Sequence, residues 1–219
     1  MGFITIMSFW RWSYRRAVRC SLGVGLVVLV SCARSGQPSV AGGITISPGI
    51  PKPDFTLQDT HGDPFNFRAR THGKLTYLFF GYTHCPDVCP LQMANVASAL
   101  HQLPPSLARN VMVVFVTTDS ERDTPKELRQ WLDNFDSSFV GLIGTMARVN
   151  AVQALTGFLS PAEREPGPSG TYTVGHSAVV LAFTPDDSAH FIYPLGVQQA
   201  AWTTDMRQLA GAGPPPDTH

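Results

Sequence analysis

The sequence predicts an α/β domain built around a parallel strand-helix-strand unit, and three observations carry that prediction. Lys74 to Tyr82 and Val111 to Val116 are unbroken apolar runs rich in strand formers, as expected where both faces of a sheet are covered. Between them, Leu91 to Leu100 reads as a helix with small residues along it, ended by Pro104-Pro105. The stretch Gly81-Tyr82-Thr83-His84-Cys85-Pro86-Asp87-Val88-Cys89-Pro90 joins the first strand to that helix, where open α/β sheets tend to bind ligands.

Length and composition bound the rest. A chain of 219 residues with 43% hydrophobic content has enough apolar material for one full core plus additions. Its formal charge is zero, but Arg11, Arg15, Arg16 and Arg19 are four of its 16 basic residues and lie in a segment expected to be removed. The remainder then carries 12 bases against 16 acids, with no basic stripe for nucleic acid.

Met1 to Cys32 reads as an export signal: a basic start, an apolar run from about Leu22 to Val30, then small residues. The run falls short of the roughly 20 apolar residues a spanning helix needs. Leu29-Val30-Ser31-Cys32 resembles the lipobox of bacterial lipoproteins, which implies lipidation at Cys32 and a position on the extracytoplasmic face of a bacterial cell membrane. Arg15-Arg16 fits an ordinary basic start better than a twin-arginine signal, and Cys20 falls inside the discarded segment.

Residues 33–50 are rich in Gly, Pro and Ser and are expected to form a flexible linker before a domain spanning 51–210. Asp54 to Phe67 alternates polar and apolar around His61-Gly62-Asp63, a hairpin signal. Thr124, Pro125 and Glu127 mark a helix start, followed by Leu128, Trp131, Leu132 and Phe135 on one face. Phe139 to Ile143 is a short strand, and Thr145 to Thr156 a helix with Met146, Val149, Val152 and Leu155 expected inward. Ser160 to Gly170, broken by Pro and Gly, is expected to be a mobile surface loop and a candidate lid or partner contact. Ala178 to Phe183 is a strand, Thr184 to Asp187 a turn into Phe191-Ile192-Tyr193, and Val197 to Leu209 the last helix, with residues 211–219 a frayed tail.

The chemistry sits at the first strand-helix junction. A helix N-terminus offers unpaired N–H groups and a positive dipole end, so a cysteine there ionises more readily than its usual pKa of about 8.5. Cys85 and Cys89 stand four apart, and on a first helical turn their sulfurs converge on one point. Such a pair can close a disulfide or share a soft metal ion such as Cu(I), and the spacing alone does not choose. A structural bridge over so short a loop would stabilise little, which favours a reactive or metal-binding pair.

Phe79 to Pro90, FFGYTHCPDVCP, resembles the signature of the Sco (SenC) family of copper-binding, thioredoxin-like assembly factors for cytochrome c oxidase. Asp119-Ser120-Glu121-Arg122-Asp123-Thr124-Pro125 is similar to the family's Asp-Pro-x-Arg-Asp-Thr-Pro, with Ser120 for the first proline, and is read mainly as structural, with Asp119 or Arg122 touching the site as the lesser alternative. Gly175-His176-Ser177 resembles its Asp-His-Thr or Asp-His-Ser element, whose histidine joins the cysteines on copper. Gly175 stands where the aspartate that would orient the imidazole usually is.

The resemblance implies a thioredoxin-like fold with an N-terminal β-hairpin extension and a copper site of Cys85, Cys89 and His176. It implies a copper chaperone that delivers Cu(I) or Cu(II) to the dinuclear copper site of a terminal oxidase. The copper-site subunit is then the partner, with a copper donor or thiol reductant upstream. The alternative is a thiol-disulfide reductase using Cys85 and Cys89 as its redox pair. The spacing does not match a peroxiredoxin. His84 is read as a neighbour of the site and Met93 as core filler. His61, His72, His101, His190 and His219 are assigned to loops, termini or helix surface.

Overall fold

The computed structural model of the chain describes residues 40–157 and 159–212. The export segment with Cys20 and Cys32, and the tail after residue 212, lie outside the described residues. In chain order the strands and helices are β1 (Ile44–Pro51), β2 (Thr56–Asp59), β3 (Pro64–Asn66), α1 (Phe67–Thr71), β4 (Leu75–Gly81) and α2 (Val88–His101). They continue with α3 (Pro105–Ala108), β5 (Val111–Thr117), α4 (Pro125–Asp133), β6 (Val140–Ile143), α5 (Met146–Leu155) and β7 (Glu163–Pro166). The last are β8 (Tyr172–Gly175), β9 (Val180–Phe183), β10 (Ser188–Tyr193) and α6 (Gln199–Gly211).

One eight-stranded sheet has the order β1-β10-β9-β4-β5-β6-β2-β3, with β4, β5 and β6 parallel and β9 antiparallel to β4. Alternation along the central strands divides the core in two. Tyr77 and Phe79 of β4, Val113 and Phe115 of β5, and Val180 and Ala182 of β9 pack with α2, α4 and α6. Leu78 and Phe80, Val114 and Val116, and Leu181 and Phe183 pack with α1, α5 and the β2–β3 hairpin. Continuous apolar strands follow because every second side chain still meets a helix or hairpin. The expected α/β class, the opening hairpin and the β9–β10 hairpin are all present.

Several expectations are corrected. Residues 44–51, expected as linker or domain start, form the edge strand β1, pairing antiparallel with β10 from Ile44↔Ile192 to Pro51↔Ser188. Gly, Pro and Ser make a poor autonomous strand, but the open edge of β10 supplies a template. Just before β1, the Asp205 carboxylate accepts the N–H groups of Ala41, Gly42 and Gly43 at 2.6, 2.9 and 3.3 Å. Just after it, the buried Lys52 ammonium donates to Thr71 O and Asp187 Oδ1, both at 2.7 Å.

On α5 the buried face runs Val149, Val152, Gln153 and Thr156, the spacing of one true helical stripe, so Leu155 falls off it and is 56% exposed. Turned inward, Gln153 donates from Nε2 to Ser160 O at 3.0 Å. The expected loop at 160–170 contains β7, which pairs with β8 from Glu163↔Gly175 to Pro166↔Tyr172. Of its Pro and Gly signals, Gly167, Pro168 and Gly170 form the hairpin tip, while Pro166 ends β7 and Pro161 precedes it. The helix expected from about Leu91 begins at Val88, and the strand expected from Ala178 begins at Val180.

Asp205→Ala removes the charged acceptor of three part-buried N–H groups, a loss of about 1.5–3 kcal/mol. Chemical denaturation should show that loss, and amide exchange should accelerate at residues 41–43 and along β1.

Candidate metal centre

The site is assembled at the C-terminal end of β4. After Gly81 the chain turns, with Cys85 N–H donating to Tyr82 O at 3.2 Å, and Asp87 caps α2 by accepting the Val88 N–H at 2.6 Å. Cys89 is the second residue of the helix, and its N–H donates to Cys85 Sγ at 3.4 Å. The Cys85 sulfur thus takes one of the N–H groups a helix start leaves without an internal partner. Pro90, also in the first turn, has no N–H to satisfy there. A Cβ on Gly81 would lie 2.8 Å from Cys89 Sγ and 2.8 Å from the Phe79 ring, so only glycine lets the sulfur approach the strand end this closely.

His176 comes from the irregular segment between β8 and β9. Its Nε2 lies 3.6 Å from Cys89 Sγ, and its ring stands edge-on to Phe79 at 5.9 Å and Tyr82 at 5.7 Å. Nδ1 faces the Ser177 carbonyl oxygen at 3.2 Å. A carbonyl can only accept, so the tautomer that bonds Ser177 carries its proton on Nδ1 and leaves the Nε2 lone pair for a metal ion. The ligand atoms of Cys85, Cys89 and His176 all lie within 4.8 Å of one another, the one such cluster among the described residues.

The two sulfurs are chemically unequal. Cys85 is lowered to about 5, chiefly by the Cys89 thiol, against burial and with help from the Cys89 and Asp87 N–H groups and His176. Cys89 is pushed up by its bond to Cys85 and by burial. Neither cysteine is in a disulfide, and of the pair Cys85 is the one favoured as thiolate and Cys89 the one favoured as thiol. Cys89 is fully buried, whereas Cys85 is 9% exposed.

Other expectations sort as follows. His84 points away from the cluster to Thr83 Oγ1 at 3.0 Å and Asp123 at 3.5 Å, and Met93 is fully buried core. His72, His101 and His190 each pair with an aspartate. The stretch at 119–124 is structural, with the full capping box at Thr124 and Glu127. Its buried Asp123 was not legible as a site residue. That carboxylate accepts Thr83 N–H at 2.9 Å, Thr83 Oγ1–H at 2.6 Å and Thr117 Oγ1–H at 2.6 Å, fixing the loop that carries Cys85. Gln92 was also missed; it is buried in α2 and donates to Ala178 O at 3.3 Å, holding the histidine segment from its C-terminal side.

At Gly175, where a carboxylate was missed in the sequence, a Cβ would lie 2.6 Å from Glu165 Oε1. The cross-strand glutamate therefore occupies the space a residue-175 side chain would enter. Glu163, Glu165, Gly175 and His176 line an open cleft of about 400 Å³ beside the cluster.

Two outcomes are expected of the metal-free protein. Alkylation of Cys85 should be fast above about pH 5 and fall away as pH drops through that value, with Cys89 unreactive by mass spectrometry. Gly81→Ala should displace the Cys89 sulfur, costing about 1–3 kcal/mol in chemical denaturation, as overpacked cores do.

Against known proteins, a sequence model of the SCO1/SenC family matches residues 46–211. Protein SCO1, mitochondrial, of Saccharomyces cerevisiae is 30% identical over 163 residues, 74% of this chain and 50% of its own length. Protein SCO2, mitochondrial, of the same yeast is 31% identical over 142 residues, 65% of this chain and 46% of its own length. The match thus spans about half the length of these yeast relatives. The structure of copper-bound ScoI from Bradyrhizobium japonicum superposes with a TM-score of 0.60 at 29% identity, covering 72% of this chain and 98% of that one. Apo Sco1 from Thermus thermophilus gives 0.67 at 29% identity, covering 79% and 99%. The fold is the thioredoxin-like fold of these Sco proteins. With the family match running from β1 through α6, the chain belongs to the SCO1/SenC family.

Proposed function

We propose that this chain is a copper-binding protein that carries copper to the dinuclear copper site of a terminal cytochrome c oxidase, held at the extracytoplasmic face of a bacterial membrane by lipid on Cys32. The observation that carries the reading is the convergence of two cysteine sulfurs and one imidazole nitrogen within 4.8 Å. Thiolate is a soft ligand and imidazole a borderline one, a set suited to copper in either oxidation state. The related Bradyrhizobium japonicum protein holds copper in its solved structure. Copper here is cargo.

The residues divide the work. Cys85 presents the sulfur that ionises more readily, Cys89 a fully buried one that must be deprotonated to bind, and His176 its Nε2. Three ligands leave a position for an incoming group from the acceptor, so that transfer runs by exchange rather than through free ion. The lipid anchor would keep that exchange beside a membrane-bound oxidase.

The ionised Cys85 also favours a second reading, in which the pair reduces a partner's disulfide and His176 only tunes the sulfur. His176→Ala separates the two. Under copper delivery, oxidase assembly fails with this variant and with Cys85→Ser; under reductase chemistry it survives the first and fails with the second.

Purified protein should bind one copper and show an intense thiolate-to-Cu(II) charge-transfer band, lost in Cys85→Ser and Cys89→Ser. A wild-type protein without that band at equimolar copper contradicts the reading. Cys32→Ser should move the protein from the membrane fraction to the soluble fraction, and retention in the membrane contradicts the anchor.

A further inference from the structure

We propose that Arg122 is a positioning residue that holds His176 against the two sulfurs. The inference rests on the copper reading above. It starts from topology: β7 and β8 form a two-stranded sheet of their own, separate from the eight-stranded sheet that supports the cysteines. An isolated hairpin is marginally stable in water, so side-chain contacts must hold this one in place. The histidine follows directly from its last strand.

Those contacts converge on the turn between β5 and α4. Arg122 lays its guanidinium 3.7 Å from the Tyr172 ring and 5.7 Å from the Tyr82 ring, and Nη1 donates to Tyr172 O at 3.2 Å. Asp119, fully buried, pairs with Arg122 Nε and accepts the Tyr172 hydroxyl at 2.9 Å. Tyr172 opens β8, and Tyr82 stands edge-on to the His176 ring at 5.7 Å. Arg122 therefore touches a neighbour of the imidazole on the cysteine side and the strand that delivers the imidazole on the other.

Its partner in the same turn, Asp123, grips Thr83 just ahead of Cys85. One five-residue turn, Asp119 to Asp123, thus references both halves of the site to the end of β5. The root of the hairpin has separate ties, Asn150 to Ala162 in both directions at 2.8 and 3.1 Å and Ser160 N–H to Ser177 Oγ at 3.0 Å. Arg164, 4.9 Å from the Tyr172 ring and paired with Glu121 at 2.5 Å, repeats the clamp farther out. A planar guanidinium stacks and donates in a fixed fork, which a lysine ammonium cannot reproduce.

The test is a double-mutant cycle on the full chain, reading Cu(I) affinity by competition with a chromophoric chelator. The variants are Arg122→Lys, His176→Ala and the two together, with amide exchange at Val174 measured without metal. Arg122→Lys should weaken copper by about 10- to 100-fold, the usual cost of losing a residue that orients a ligand. It should cause no further loss in the His176→Ala background, and Val174 exchange should accelerate. Tyr172→Leu, which removes the stacking surface, should give the same pattern and serves if Arg122→Lys folds poorly. Equal losses in both backgrounds, or unchanged affinity and exchange, overturn the proposal alone. If His176→Ala binds copper as tightly as wild type, the metal-site reading falls, and this proposal with it.

Discussion

The site depends on holding an imidazole from one sheet against sulfurs supported by another. Cys89 is fixed by the core: α2 packs on Tyr77 and Phe79, and the sulfur fits against a glycine at the strand end. Cys85 follows, because its sulfur takes the Cys89 N–H and its loop is gripped by Asp123. His176 lies in neither a strand nor a helix. Its placement comes from aromatic edges, a carbonyl at Nδ1, Gln92 behind it and the Arg122 clamp ahead of it. The three ligand residues therefore rest on two separate sheets, the sulfurs on the larger and the nitrogen just after the smaller.

The same asymmetry shapes the electrostatics. Burial would raise both thiols, but the helix start and the neighbouring thiol reverse that for Cys85 and not for Cys89. The less deeply buried Cys85 is therefore the sulfur that ionises more readily, and Cys89 the one whose burial and bond to Cys85 favour its thiol. At residue 175, glycine and Glu165 exchange places with the expected aspartate. The carboxylate reaches the same cleft from the facing strand rather than from the residue beside the histidine.

Much of this was legible in the chain. Unbroken apolar runs at 74–82 and 111–116 marked strands with both faces covered, and the Cys85 and Cys89 sulfurs do converge, although Cys85 sits in the loop before α2 rather than on the first helical turn. The resemblance around His176 supplied the third member, which no local pattern would have. What escaped reading was long-range. Asp123 and Thr83 are forty residues apart, and a buried aspartate ahead of a helix cap looks the same in sequence whether it grips a functional loop or water. β1 escaped because Ser47, Pro48 and Gly49 interrupt its Ile-Thr-Ile start, and the strand is completed by pairing with the β10 edge. Leu155 was misplaced because an apolar residue three beyond Val152 matched the pattern, while Gln153 and Thr156 carried the true stripe.

X-ray absorption at the copper edge of the loaded protein tests the central claim most directly, because it counts the donor atoms. Two sulfurs and one imidazole nitrogen in the first coordination shell are expected, with the imidazole signal lost in His176→Ala and one sulfur lost in Cys85→Ser. A shell without sulfur, or an imidazole signal that survives removal of His176, would contradict it.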